Sequence, residues 1–191
     1  MENNRRLVDW DDTYVSTGHL PPSQQVAEYV AEAHSLFGLE AAGQVSQVYP
    51  ALAEMPSAYF GVSMVDTAGH FYEAGEAGVE FTIMSVSKPF LFALICDRIG
   101  SGAVRQKVGM NATGLGFNSL AGIERHAEGL TNPMVNAGAI ASTSLAPGGT
   151  LEERWDFILE GLSRFAGREL RVNQEVYASA SETNFRNRSI V

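Results

Sequence analysis

Ser85-Val86-Ser87-Lys88 is the stretch of this 191-residue chain whose residue types and spacing most directly offer chemistry. Ser85 and Lys88 stand three positions apart, so on a helix they share a face. A serine in the first helical turn gains more. Unpaired backbone N–H groups there can hold an oxyanion, and the positive end of the helix dipole favours negative charge. A lysine desolvated beside that dipole binds its proton less tightly and can take the serine's, giving an activated nucleophile. Pro89 is compatible, because in the first turn its missing N–H would have no partner anyway. The chain has only two lysines, Lys88 and Lys107, so the spacing is not a by-product of lysine abundance.

The second block with chemical potential is Asn132-Pro133-Met134-Val135-Asn136-Ala137-Gly138-Ala139-Ile140. Pro133 fixes one φ angle, and the small residues 137–139 let backbone or substrate come close. Asn136 carries a donor and an acceptor, suited to an amide or a carboxylate. Asn132 and Asn118 read as turn or capping asparagines instead.

Elements must carry these residues. Residues 1–22 are polar, of mixed charge, and close on Pro21-Pro22, so they read as an arm ahead of a domain over 23–191. Ser23 is placed to cap a helix with apolar positions Val26, Val30, Ala33 and Phe37, and Gly38 to stop it in the left-handed conformation. Two strand-like runs, 59–65 and 70–74, flank the turn composition Asp66-Thr67-Ala68-Gly69 and predict a hairpin. An apolar helix is expected from about Ser85 to Ile99, buried enough to desolvate the lysine. Leu151, Trp155, Ile158, Leu159, Leu162 and Phe165 recur at helical spacing on one face, and Gly167 ends that helix. Residues 189–191 read as the middle of a further helix.

The motifs together resemble the glutaminase family. Residues 81–90 look like its Ser-x-Ser-Lys segment, 43–52 its Gly-x-Val-Ala-x-Tyr-Ile-Pro-x-Leu stretch, and Phe117-Asn118-Ser119 its Phe-Asn-Ser element. Residues 132–140 are nearly identical to Asn-Pro-Met-Ile-Asn-Ala-Gly-Ala-Ile, and 176–188 resemble a later segment ending in Arg-Asn. The resemblance implies an α+β, β-lactamase-like fold with a helical region inserted after an N-terminal hairpin, its sheet left incomplete here. It implies hydrolysis of L-glutamine to L-glutamate and ammonia, with Ser85 as nucleophile and as a substrate contact, Lys88 as base, and Asn136 and Asn187 binding substrate. It implies no cofactor and no metal, and self-association into a homo-oligomer.

One departure stands out. In Ser179-Ala180-Ser181-Glu182, the family usually has a glutamate directly after the serine, and that position is Ala180. Glu182 lies two positions on, facing elsewhere on a helix. Two rival readings stay open: a non-catalytic glutaminase-like binding or scaffold protein, and another serine acyl-transferase of the β-lactamase-like fold. Family members run on into further strands and tyrosines, so this chain by itself is expected to be inactive or barely active.

Composition narrows the partners. A net charge of −9 opposes nucleic acid and anionic lipid, while a zwitterionic small molecule remains compatible. One cysteine, Cys96, allows no internal disulfide and fits a reducing, cytoplasmic setting; it reads as an inert core residue. The start reads as lacking a secretory leader, and no stretch is long and apolar enough for a membrane helix. His19, His34, His70 and His126 lack metal-ligand spacing and read as surface or satisfied residues, and Arg186 and Arg188 as a solvated basic edge.

Overall fold

The computed structural model describes residues 21–119, 121–124 and 129–188, leaving aside the Arg186 side chain. The expectations for the arm over 1–20, for His19 and His126, for residues 189–191 and for the Arg186 side chain lie outside the described residues. The chain divides into two compact units. One runs through Gln44 and resumes over Pro56–Val79; the other takes Val45–Met55 and the described residues from Glu80 on.

In the first unit, helix α1 (Ser23–Phe37) buries Val26 and Val30, one helical turn apart, against Tyr72, with Val62 and Ala74 packed beside them. Tyr72, Val62 and Ala74 come from an antiparallel hairpin, β1 (Gly61–Val65) and β2 (Phe71–Gly75), in register from Gly61 opposite Gly75 to Val65 opposite Phe71. The helix begins at Ser23 but is preceded by Pro22, and Ser23 makes no capping bond: Pro22 O accepts the N–H groups of Gln25 and Val26 instead. Gly38 ends α1 right-handed, at φ −63°, because its N–H continues the ladder to His34 O at 2.8 Å.

Asp66 organises the hairpin turn. Its Oδ1 accepts the N–H groups of Ala68 and His70, each at 2.9 Å, and its Oδ2 meets His70 Nδ1 at 2.8 Å and the Tyr72 hydroxyl at 3.0 Å. The backbone and side-chain bonds from His70, then those from Tyr72 and Ala68, outweigh partial desolvation and hold the carboxyl down at about 2. His34 is likewise satisfied, its ring stacked on Phe60 at 5.3 Å with Nε2 3.2 Å from Phe60 O.

The second unit is helical around α3 (Ser87–Ile99), whose Leu91 and Ile95 are buried with Val104, Val108 and Ala146. Removing each such aliphatic side chain from water is worth about 1.5–3 kcal/mol, so α3 is the main anchor of this unit. Val104 belongs to the short α4 (Ser101–Arg105), which restarts the chain after Gly100 ends α3. Helix α7 (Leu151–Ala166) starts with a capping box: Thr150 Oγ1 accepts the Glu153 N–H while the Glu153 carboxylate accepts the Thr150 N–H, each at 3.2 Å. Gly167 stops it left-handed at φ 65°.

The apolar face expected for α7 is covered only in its middle. Ile158, Leu159 and Leu162 turn inward as expected, joined by Phe157 and Gly161, while Leu151, Trp155 and Phe165 stay exposed, Phe165 still meeting the Phe90 ring of α3 at 5.1 Å. A Cβ at Gly161 would lie 2.4 Å from Leu94, so the missing side chain lets α7 press directly onto α3. Cys96 is half-buried against the same core, where burial pushes its thiol pKa up. Short helices complete the unit: α2 (Pro50–Ala53), α5 (Ala121–Glu124), α6 (Asn136–Ser144), α8 (Gln174–Thr183) and α9 (Phe185–Arg188).

Candidate active site

Four side chains were expected at a site: Ser85, Lys88, Asn136 and Asn187. All lie in the second unit, and three of them form one hydrogen-bonded chain. Lys88 Nζ donates to Asn136 Oδ1 at 2.7 Å and, more weakly, to Met134 O at 3.4 Å. Asn136 Nδ2 then donates to Asn187 Oδ1 at 3.0 Å. A lysine ammonium can only donate, so it decides which end of the Asn136 amide is oxygen, and that choice passes on to Asn187. The run of donors therefore points from Lys88 outward and leaves the Asn187 Nδ2 hydrogens at its end.

Each member is held by its own element. Asn136 opens α6, and its N–H donates to Phe117 O at 2.8 Å. Asn132 makes the turn ahead of it, accepting the Met134 N–H at 2.8 Å and donating to Asn111 O at 3.2 Å, as a turn asparagine should. Gly138 is the close approach that the small-residue run implied: a Cβ there would stand 2.0 Å from Asn132 O. Any side chain would push α6 away from the turn and take Asn136 with it.

Lys88 sits in the first turn of α3, half-buried, and desolvation lowers its pKa from the ordinary lysine value. The Phe117 ring faces its ammonium with the centroid 5.7 Å away, within cation–π range. Phe117 thus touches Lys88 with its ring and Asn136 with its carbonyl. The Phe-Asn-Ser match had marked it only as a resemblance, without a role.

Ser85 lies one step ahead of α3, in a 3₁₀ turn over Met84–Val86, and is exposed. Among the described residues no hydrogen bond joins it to Lys88, whose donors go to Asn136 and Met134. Met84 before it has φ 44°, the left-handed conformation that a non-glycine residue adopts at a cost of about 1–3 kcal/mol. No sequence signal marks this strain, because a glycine would have advertised it and a methionine does not. The free helix-start donors expected beside the serine are partly occupied, since Val86 N–H donates to Ile83 O at 3.0 Å and Ser87 N–H to Met84 O.

Asn187 lies on α9, just beyond α8. Ala180 is half-buried on α8 and Glu182 is exposed, so the carboxylate two positions on does not share Ala180's face. Among the described residues, no group of three or more His, Cys, Asp or Glu side chains could hold a metal ion.

The family model for glutaminases matches residues 43–191, most of the chain and all of this site. The chain belongs to the glutaminase family. It is 57% identical to Glutaminase 2 of Yersinia pestis over 189 residues, which is 99% of this chain and 54% of that protein. Among solved structures it is similar to the probable glutaminase ybaS, with TM-score 0.86 and 36% identity over 89% of this chain and 55% of that one. It is also similar to a probable glutaminase from Bacillus subtilis complexed with 6-diazo-5-oxo-L-norleucine, with TM-score 0.73 and 26% identity over 94% of this chain and 53% of that one. The chain therefore spans about half the length of the relatives it matches. Among the described residues this chain combines helices with a two-stranded sheet, its structural neighbours are α+β proteins, and no described helix is long and apolar enough to cross a membrane.

Proposed function

We propose that this chain carries the nucleophile and part of the substrate pocket of an enzyme hydrolysing L-glutamine to L-glutamate and ammonia. The observation that carries the reading is the chain Lys88–Asn136–Asn187, three residues from distant segments joined by bonds of 2.7 and 3.0 Å, with Ser85 one helical turn before the lysine. In the neutral amine two N–H bonds point to Asn136 and Met134, and the lone pair is left to take the Ser85 proton. Ser85 Oγ attacks the side-chain carboxamide carbon, and the carbonyl oxygen becomes an oxyanion that we assign to the Ser85 N–H. Collapse breaks the C–N bond as Lys88 returns its proton to the leaving nitrogen. Ammonia departs, and water hydrolyses the γ-glutamyl ester by the same proton path.

Asn136 and Asn187 bind substrate in this scheme. The outward run of donors suits Asn187 to an acceptor such as a carboxylate. The reading includes a β-lactamase-like fold, supported by a hairpin packed on a helix and a serine at the head of a buried helix. It takes residues 23–191 as the catalytic domain and 1–22 as an arm, the family match over 43–191 being its support. It places the protein in a reducing cytoplasm, supported by one cysteine in 191 residues, and self-associated, supported by exposed apolar side chains such as Phe71 and Phe81. No cofactor takes part.

The test uses the diazo-ketone seen in the Bacillus subtilis structure as an electrophile. Labelling should saturate with reagent concentration and be slowed competitively by L-glutamine and L-glutamate, but not by D-glutamine. Labelling that is unsaturable and indifferent to both amino acids would remove glutamine as the substrate. Turnover by the 191-residue chain is expected to be slight, since the chain spans about half of its relatives.

A further inference from the structure

Asn187 reaches Asn136 only if α9 is aimed correctly, and α9 is four residues long, too short to be stable through its own ladder. Besides the Arg188 guanidinium, which donates to Ser181 O on α8 at 3.2 Å, its support comes from Asn184, which ends α8 and starts α9. The Asn184 N–H closes α8 on Ala180 O at 2.9 Å, and its carbonyl accepts the Arg188 N–H at 3.3 Å. Its side-chain Nδ2 donates to the hydroxyl of Tyr49 at 3.0 Å, across 135 positions of sequence. Two positions after Tyr49, within α2, the Ala51 N–H donates to Ser179 Oγ at 3.3 Å, so this segment grips α8 at a second point.

We propose that Tyr49 is a positioning residue for Asn187: by holding Asn184 at the α8–α9 junction it fixes where α9 presents the Asn187 amide. Among the described residues Tyr49 makes no hydrogen bond to Ser85 or Lys88, so its effect falls on substrate recognition and leaves the attacking group alone. The ring is half-buried and the hydroxyl meets a side chain, so removal of that oxygen alone separates the bond from the packing. Tyrosine can also donate, so a carboxylate at position 184 keeps a bond with its polarity reversed.

The inference rests on the reading of Asn187 as a substrate contact, and two readouts keep the two apart. The first is the side-chain amide signal of Asn187 in the nitrogen-15 spectrum of the 191-residue chain, which needs no reaction. It is expected to shift in Tyr49→Phe and Asn184→Ala, and to stay near its original position in Asn184→Asp. An unmoved signal in Tyr49→Phe overturns the proposal whatever the chain labels or hydrolyses. The second is labelling of Ser85 by 6-diazo-5-oxo-L-norleucine. Tyr49→Phe should raise the half-saturating concentration about three- to tenfold, the loss of one neutral hydrogen bond, with the limiting rate unchanged. The rise should vanish when Asn187→Ala is already present. A lower limiting rate, or the same rise in the Asn187→Ala background, assigns Tyr49 a general structural role and also overturns the proposal. If the signal moves but Ser85 is never labelled, the brace stands and the reaction assigned to this site falls.

Discussion

An asparagine amide accepts at one end and donates at the other, and at Asn136 a lysine settles which end is which. That neutral partner suits the base role proposed for Lys88, because it orients the amine without fixing a charge on it. Asn136→Asp should therefore do more harm than its size suggests. A carboxylate 2.7 Å from Nζ would hold the ammonium charged and raise the lysine pKa that burial lowers. Labelling of Ser85 is expected to fall at least about tenfold at neutral pH, the equivalent of one pKa unit, and to recover as pH rises. The sign follows from the base being active when neutral: lowered by desolvation, Lys88 gives an ascending limb below the ordinary lysine value, and the aspartate moves that limb upward. A pH profile of the labelling rate for both proteins checks this; coincident limbs would remove Lys88 as the base. The residues of this relay were legible because each lies in a local motif. Phe117, Tyr49 and the strained Met84 lie in matching segments too, but nothing local gave them a role, since their importance comes from long-range partners or from a backbone angle.

Helices α1, α3 and α7 were legible from apolar spacing, with ends close to those expected, because burying one face dominates their energetics. What spacing could not give was how tightly elements approach. Gly161 lets α7 press onto α3, and Gly138 seats α6 on the Asn132 turn. Gly138→Ala is expected to lower stability by about 2 kcal/mol or more, as forced overpacking does, and to abolish labelling; a cooperative melt checks the first effect. The hairpin offers a separate test. The Asp66 carboxyl, held at about 2 against an ordinary 3.8, stabilises the turn when ionised. Its folded pKa lies below its unfolded one, so that contribution is complete above the ordinary value and is lost as pH falls from about 4 towards 2. Asp66→Asn should flatten this part of the stability profile, measured by tyrosine fluorescence of the chain between pH 2 and 5 on the order of the same interval. An unchanged slope would mean that the turn does not depend on the ionised carboxylate.

At the scale of the whole molecule, the chain spans about half of its relatives, and its described sheet has two strands. The hairpin exposes Val65 and Phe71, paired across the two strands on the face away from α1, at 56 and 70% of their surface, apolar area of the kind that seeks a partner. The expected outcome is concentration-dependent self-association of the 191-residue chain in light scattering, reduced by Phe71→Glu. A strictly monomeric chain at high concentration would contradict it. This feature was legible in outline from the pairing of one hairpin with mostly helical sequence. Its extent was not, because exposure depends on what packs against each strand.

The most direct test of the account is the intact mass of the chain after incubation with 6-diazo-5-oxo-L-norleucine, followed by mapping of the modified peptide, for the native sequence and for Ser85→Ala. The account predicts one adduct, on Ser85, absent from Ser85→Ala. An adduct that persists in Ser85→Ala, or that maps to another residue, would contradict the assignment of Ser85 as the nucleophile.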